Sequence, residues 1–569
     1  VEPQSRLCRL RSPPHAIWQA FALGGPSNRR FANAFLIHQR ICCCCCAQPI
    51  ERGDTGSAHC LFHRLCRSRQ PSRDWGYVAA PLPPGIIHVK SECPLLSING
   101  LREAHRYSAA HRHLEKELRM QSTLAAKYGD ARLPRYTSYP TSPRFSPDVD
   151  ASTYSDWLVD LPMEKPASLY LHIPFCRSMC WYCACHTTIT RRDLPIDEYL
   201  HMLRKEICLV SASTKAPLNI DHVHFGGGTP TIIRPKEMLA LIELLHEHFD
   251  FATTAQIAVE IDPRTLEQEM AAVLGKAGVR RASLGVQSFD PVVQKAINRA
   301  LSVEQTINAV SYLRRAGVDS INFDLIYGLP HETVESCIET IKLALEMQPD
   351  RFAVFGYGHV PSLKKHQRLI DETVLASAED RLAQAEAIAE NLLAAGYRRI
   401  GLDHFARPDD SLAIAQATGQ LHRNFQGYTT DACETLIGFG ASAVGRMAGG
   451  YVQNEVLLSG YAQRIASGRF ATVKGYRLST EDRLRANIIE RLMCDFRVDV
   501  PALAAAHGFE HTALLERNER LAMLESEGIL EIEGGVIRLR EEARFLIRTV
   551  AAAFDAYLDE STRSCTKAA

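Results

Sequence analysis

"SLYLHIPFCRSMCWYCACHT", residues 168–187, joins a short apolar run to a loop that carries Cys176, Cys180, Cys183 and Cys185. The run SLYLHIPF is rich in apolar and aromatic residues and is closed by Pro174, which reads as a buried strand. The same grammar recurs in HVHFGGGTP (222–230), QIAVEIDP (256–263), RASLGVQSF (281–289), INFDLIYGLP (321–330) and RFAVFGYGHV (351–360). Between these runs lie stretches such as DEYLHMLRKEICLV, PKEMLALIELLHEHF, EQEMAAVLGKAG and VEQTINAVSYLRRAG, whose apolar spacing of three and four suits helices covering a parallel sheet. Six β/α units in about 200 residues predict an α/β fold built as a barrel or partial barrel, with a doubly wound sheet as the second arrangement. Active sites of barrels gather at the carboxyl ends of the strands. The cysteines, the glycines of GGGTP, Glu260, Gln287 and Asp324 are all expected there.

The whole-chain numbers narrow the class. A chain of 569 residues, 46% of them hydrophobic, has room for two or three domains with a sizeable core. Its 65 Lys and Arg against 65 Asp and Glu leave no net charge, which argues against a nucleic-acid partner. No apolar run of about 18 or more residues is present to span a membrane. The 18 cysteines call for no disulfide framework in a chain of this size without an opening signal sequence, so a reducing cytoplasm is expected. Half of them fall in the first 120 residues, five in the run Cys42 to Cys46, amid Arg, Pro and Ser without helical or strand period. Residues 1–119 are read as a disordered extension, or as an upstream frame translated ahead of a start at Met120.

The cysteine spacing is C-x3-C-x2-C-x-C. Thiolates suit zinc or iron–sulfur clusters, and three spaced by three and two can wrap one corner of a cubane. Structural zinc usually draws paired knuckles from two separate places, and Cys183 and Cys185 are badly spaced to join the others on one ion. Buried free thiols are the third reading. GGGTP alone carries little weight, since it lacks the Lys and Ser/Thr of a phosphate-binding loop. Singly, Glu260 and Asp324 are also good helix caps, Gln287 a partner for a loop carbonyl, and Arg299 a solvated charge.

Together, C-x3-C-x2-C after the first strand, Tyr182 before the third cysteine, and GGGTP after the second strand resemble the radical S-adenosylmethionine superfamily. With PRYTSYPT (134–141), GVQSFD, NFDLIYGLP, GLDHFARPDD and LHRNFQGYTT (421–430), the chain from about residue 120 resembles the oxygen-independent coproporphyrinogen III oxidases. The related haem chaperones share the three cysteines and the glycines but typically lack Cys185, the PRYTSYPT arm and the LHRNFQGYTT segment; they remain the alternative.

The resemblance implies a [4Fe-4S] cluster on Cys176, Cys180 and Cys183, its fourth iron open to S-adenosylmethionine, with Cys185 an additional thiol beside the site. Tyr170, Gly227 and Glu260 match contacts to that S-adenosylmethionine. Tyr182, Gly228, Thr229, Gln287, Arg299, Asp324, Gly358 and Val444 match contacts to a second molecule of it. Tyr182, Gly358 and Val444 stand where relatives can carry Phe, Ala and Ile. The implied activity is the oxidative decarboxylation of coproporphyrinogen III to protoporphyrinogen IX by a cytoplasmic monomer served by an electron donor and an unidentified electron acceptor. Arg135 and Arg423 are candidate anchors for the propionates.

The expected division is an extension over 1–119, an amino-terminal arm over 120–165, a partial (β/α) barrel of the radical S-adenosylmethionine type over 166–450, and a mainly helical domain over 451–569. The last includes a hairpin at LEIEGGVIRLR (530–540), turning on Gly534-Gly535, and resembles the family's lid over the barrel mouth.

Overall fold

Six parallel strands carry the fold: β1 (Ala167–Ile173), β2 (Asn219–Gly227), β3 (Asp250–Ile261), β4 (Val279–Gln287), β5 (Ser320–Tyr327) and β6 (Arg351–Gly356). The computed structural model describes residues 123–124, 126–129, 131–558 and 566–567, so the expectation for residues 1–119 lies outside the described residues. Each strand is followed by a helix: α1 (Leu194–Ser211), α2 (Pro235–His248), α3 (Gln268–Lys276), α4 (Val303–Arg315), α5 (Val334–Glu346) and α6 (Ala378–Ala394). Side-chain caps start several of them, with reciprocal capping boxes at Ser302/Gln305 and Thr333/Ser336.

Strands β1 to β6 lie side by side in chain order. Right-handed crossovers in an unreversed order put all connecting helices on one face. Accordingly α1 packs on α2, α2 on α3, α3 on α4, and α5 on α6. A doubly wound sheet needs a reversal of strand order, and none occurs here. Strand β9 (Thr435–Phe439) returns to pair in parallel with the free side of β1. It is extended by antiparallel β10 (Val444–Met447), β11 (Gly450–Asn454) and β12 (Thr472–Arg477). At the other end β8 (His404–Ala406) pairs antiparallel with β6, and β7 (Arg398–Ile400) pairs antiparallel with β8 at the edge. The twelve-stranded sheet does not close on itself, which makes it a partial barrel.

Strand residues alternate between two environments. Val223 and Phe225, Ile257 and Val259, Ala282 and Leu284, and Ile321 and Phe323 are all under 5% exposed and belong to the main core. Residues that alternate with them along the strands, His224, Glu260, Ser283 and Asp324 among them, are half-buried and face the lumen, as period two requires. Glu206 of α1 ties the helix layer to the returning strands. Its carboxylate accepts from Gly440 N (2.7 Å), Asn454 Nδ2 (2.7 Å) and Tyr461 Oη (2.8 Å). Burial nevertheless pushes this carboxyl up to about 7.

The sheet runs past residue 450, where the alternation of strand and helix fades in the sequence, through β11 and β12 to Arg477. A second core begins at Leu484 on the helix Thr480–Asp495 and takes in Ile537 of the hairpin strand Val536–Leu539. That hairpin (Leu530–Glu533 and Val536–Leu539) gains a third strand, Arg497–Asp499. Arm residues Leu133, Tyr136 and Tyr139 belong to this second core rather than to that of the barrel. No helix among the described residues is long and apolar enough to cross a membrane.

Candidate active site

The loop after β1 is held from every side. Pro174 O accepts from Thr188 N (2.7 Å), and the pair Phe175–Cys176 runs alongside Thr188–Ile189. Gln367 Nε2 donates to Tyr182 O (2.9 Å) and to Gly358 O (3.2 Å), while His366 Nε2 meets Cys183 O (2.7 Å). These bonds shape a loop that has no regular structure of its own.

Four thiols stand there, all free. Cys176 Sγ lies 3.4 Å from Thr229 Oγ1 and accepts from Thr187 Oγ1 (3.3 Å). Cys180 Sγ faces two guanidinium groups, Arg299 Nη1 at 3.4 Å and Arg264 Nη2 at 3.6 Å, both anchored by Asp262. The Cys185 thiol and backbone N–H both bond to the Cys183 sulfur, which holds Cys183 down to about 6 and pushes Cys185 up.

These residues fit a [4Fe-4S] cluster. Thiolates are the ligands it takes. The space beside the loop is also kept free: a Cβ on Gly228 would stand 2.5 Å from Phe175 O and 2.6 Å from Thr187 Oγ1. Gly227 adopts φ +118°, a conformation open to glycine, and a Cβ there would strike the His172 ring. The guanidinium groups of Arg264 and Arg299 offset negative charge gathered on the sulfurs.

Beneath the loop, Gly227 N donates to Glu260 Oε2 (3.0 Å) and His224 Nε2 meets Glu260 Oε1 (3.1 Å). Burial alone would raise the Glu260 carboxyl; the His224 bond and the Gly227 N–H outweigh it and hold it below its ordinary value. The ring of Tyr170 stacks near His224 at 5.9 Å, and its hydroxyl meets His172 Nδ1 (3.0 Å). Asp324 behaves oppositely. It accepts from Ser283 Oγ (2.8 Å) and Asn322 Nδ2 (2.7 Å), yet burial pushes its carboxyl up to about 7. His224, Glu260, Ser283 and Asp324 line one cavity of about 240 Å³ in the lumen.

The expected site residues fall into three groups. Tyr170, Gly227 and Glu260 adjoin the cysteine loop, and so do Gly228 and Thr229. Gln287, with φ +70°, and Arg299 converge beside Gly285, whose carbonyl accepts from Arg299 Nη2. Tyr182 and Gly358 are bridged by Gln367, whereas Val444 sits on β10 against Gly438, the partner of Tyr170 across β9 and β1. Gln287 ends its strand and Glu260 is one residue short of the end, but Asp324 lies inside β5, three residues before Tyr327. It reaches the site through the lumen face rather than from a loop.

Sequence reasoning passed over His224, Asp262, Arg264 and the segment 364–367. His224 and Asp262 were signalled by their places in the strand runs; the 364–367 contacts carry no local signal. Also missed was an arginine-rich cavity of about 110 Å³, where Arg135 and Arg423 are joined by Arg381, Arg399, Arg544 and Arg548. Arg423 Nε and Nη1 are buried there without a hydrogen-bond partner, its guanidinium 4.4 Å from the Tyr428 ring centroid. Phe355 forms part of the wall of both this cavity and the lumen.

An open parallel sheet in chain order, with three thiols looped from the end of its first strand over a glycine turn, defines a radical S-adenosylmethionine protein. The model of the Radical SAM superfamily matches residues 170–344, and that of the HemN C-terminal domain matches residues 478–546. The family carries a [4Fe-4S] cluster and S-adenosylmethionine. The chain is 56% identical over 440 residues to the oxygen-independent coproporphyrinogen III oxidase of Bradyrhizobium diazoefficiens, covering 77% of this chain and 98% of the relative. It is 39% identical to that of Salmonella typhimurium over 79% of this chain and 98% of the relative. The solved coproporphyrinogen III oxidase (HemN) of Escherichia coli superposes with a TM-score of 0.72 at 38% identity, covering 74% of this chain and 98% of that one. The chain belongs to the oxygen-independent coproporphyrinogen III oxidase family.

Proposed function

We propose that this chain oxidatively decarboxylates two propionate side chains of coproporphyrinogen III to vinyl groups, yielding protoporphyrinogen IX without oxygen. The observation that carries the reading is a cluster-competent loop opposite a polar lumen, in a chain that spans 98% of a 56% identical oxidase. Cys176, Cys180 and Cys183 would hold the cluster, which with S-adenosylmethionine would supply the radical chemistry needed to remove a hydrogen atom from a propionate β-carbon. Loss of carbon dioxide and one further electron, passed to an acceptor, completes each vinyl group.

The remaining work belongs to the chain. Tyr170, Gly227 and Glu260 orient the first S-adenosylmethionine, the carboxylate being kept ionised by His224 to accept hydrogen bonds from an ammonium or ribose hydroxyls. Tyr182, Gly228, Thr229, Gln287, Arg299, Asp324, Gly358 and Val444 are assigned to a second molecule beside it. Arg423 and Arg135 take a propionate carboxylate in the arginine-rich cavity. Its volume of about 110 Å³ suits a side chain and not a tetrapyrrole ring, and the shared Phe355 wall leads from it to the lumen. Cys185 is a neighbouring thiol rather than a ligand. The catalytic unit is assigned to residues 120–569, with the barrel ending at Arg477 and the following domain closing over the arginines, in a compartment that keeps thiols reduced.

Anaerobic reconstitution followed by assay with coproporphyrinogen III tests the reading. Two molecules of carbon dioxide and one of protoporphyrinogen IX are expected per substrate consumed. A reconstituted protein that binds cluster and S-adenosylmethionine but leaves coproporphyrinogen III unchanged, while binding haem, would overturn it in favour of a chaperone.

A further inference from the structure

His404, on β8, is buried and lines the lumen cavity beside Phe355 and Asp324. Its ring is fixed on three sides. The rings of Phe355 and Tyr428 meet it edge to face at 5.7 Å and 5.2 Å, and Nδ1 lies 2.8 Å from Asp403 Oδ1. Burial alone would raise the Asp403 carboxyl, but the His404 bond and the charges of Arg423 and Arg135 outweigh it and bring it down to about 2. An ionised carboxylate can only accept, so Nδ1 carries the hydrogen and, in the neutral imidazole, Nε2 carries the lone pair. Nε2 has no hydrogen-bond partner among the described residues. Its approach is kept clear by Gly427, at φ +117°, where a Cβ would touch Nε2 at 3.4 Å.

Asp403 serves a second set of partners. It lines the arginine-rich cavity with Arg135 and Arg423, whereas His404 opens on the lumen, and Phe355 walls both. One carboxylate therefore backs the guanidinium groups assigned to a propionate and sets the tautomer of the imidazole next to it. A propionate seated on those arginines leaves its pyrrole in the lumen against Phe355 and His404, because the arginine-rich cavity is too small for the ring. The hydrogen-bonding group of a porphyrinogen pyrrole is its N–H, a donor, which an imidazole lone pair complements.

We propose that His404 is a catalytic residue of the decarboxylation, its Nε2 accepting a hydrogen bond from the pyrrole N–H of the substrate, with Asp403 as the residue that positions it. The inference rests on the function proposed above. Once a hydrogen atom has left the propionate β-carbon, the unpaired electron is shared with the pyrrole, and its loss to the electron acceptor puts positive charge on the ring and its N–H. The bond to the carboxylate carbon then breaks, its electron pair forms the vinyl double bond, carbon dioxide departs and the pyrrole is neutral again. The N–H hydrogen stays on the pyrrole throughout. A hydrogen bond from that N–H is stronger in the cationic ring than in the neutral one, so His404 favours the loss of the electron more than it favours binding.

The test uses the full chain, reconstituted and reduced, with S-adenosylmethionine and coproporphyrinogen III. Without an electron acceptor the substrate radical accumulates and is read by electron paramagnetic resonance; oxidised benzyl viologen, a one-electron acceptor, then discharges it. His404→Phe keeps the edge packing and removes the lone pair. It should slow the discharge by about ten- to a hundred-fold, the worth of a hydrogen bond to a charged group, while weakening substrate binding by less than about tenfold. His404→Gln, whose side-chain oxygen reaches the place of Nε2, should recover most of the loss. Asp403→Asn, whose amide donates to Nδ1 and so moves the ring hydrogen to Nε2, should slow the discharge as His404→Phe does. Discharge at the parent rate in His404→Phe, a loss confined to substrate binding, or a loss that His404→Gln leaves in full would overturn the proposal. A parent protein that forms no substrate radical would instead count against the function on which the proposal rests.

Discussion

Asp324→Asn removes one lumen carboxyl at almost no steric cost. Asparagine keeps an oxygen for Asn322 or Ser283, and the Ser283 hydroxyl can accept from the new amide, so both present partners remain usable. S-adenosylmethionine is cationic at its ammonium and sulfonium, and its binding at the second position favours the ionised carboxylate. At pH 8, above the value of about 7, the parent carboxyl is mostly ionised. The variant there loses one charge-assisted hydrogen bond, about 1.5–3 kcal/mol, or roughly ten- to over a hundred-fold in Kd. At pH 6 the parent is mostly protonated, and its advantage should shrink by about tenfold. Stability moves the other way. A carboxyl raised from 3.8 to about 7 contributes stability that is complete below its unfolded value and lost as pH rises through 7. At 1.36 kcal/mol per unit the whole change is about 4 kcal/mol, of which about 1.4 kcal/mol falls between pH 6 and pH 8, and Asp324→Asn should be spared it. Anaerobic equilibrium binding and urea unfolding, each at pH 6 and pH 8 on both proteins, measure the two effects together. Equal affinity of parent and variant for both molecules at pH 8, or a parent affinity that does not change with pH, would refute the assignment.

Replacing Cys176, Cys180 or Cys183 by Ser should abolish cluster assembly, whereas Cys185→Ser should retain it; iron and sulfide analysis with the visible absorption spectrum discriminates them. Arg423→Ala should lower kcat/KM for coproporphyrinogen III by about ten- to a hundred-fold, the worth of a hydrogen bond to a charged group, while dithionite-driven cleavage of S-adenosylmethionine without substrate stays at the parent rate. Glu206 is raised from 4.5 to about 7 by burial, so its contribution is present below 4.5 and lost as pH rises through 7. Glu206→Gln should therefore remove about 2.5 kcal/mol of the decline in unfolding free energy between pH 5 and pH 8, as read by urea titration at several pH values.

The six β/α units and the cysteine loop are legible in the sequence because they are local. A buried parallel strand needs an apolar run, its helix needs a three-and-four spacing, and a cluster loop packs its ligands within eight positions. Period two, a property of each strand run alone, likewise places His224, Glu260, Ser283 and Asp324 on one face of the sheet. Strands β11 and β12 escape this reading because glycines replace the β-formers where backbones press together: a Cβ on Gly450 would stand 1.9 Å from Tyr476 O, and one on Gly475 2.1 Å from Tyr451 O. The boundary drawn at residue 450 therefore fell inside the sheet. Tertiary structure alone decided that β9 pairs with β1, that Arg264 and Arg299 converge on Cys180 from separate units, and that arginines scattered from 135 to 548 share one cavity. Nothing in a local window encodes such meetings, since each depends on how distant segments cross, and the crossing is set by the packing of the whole core.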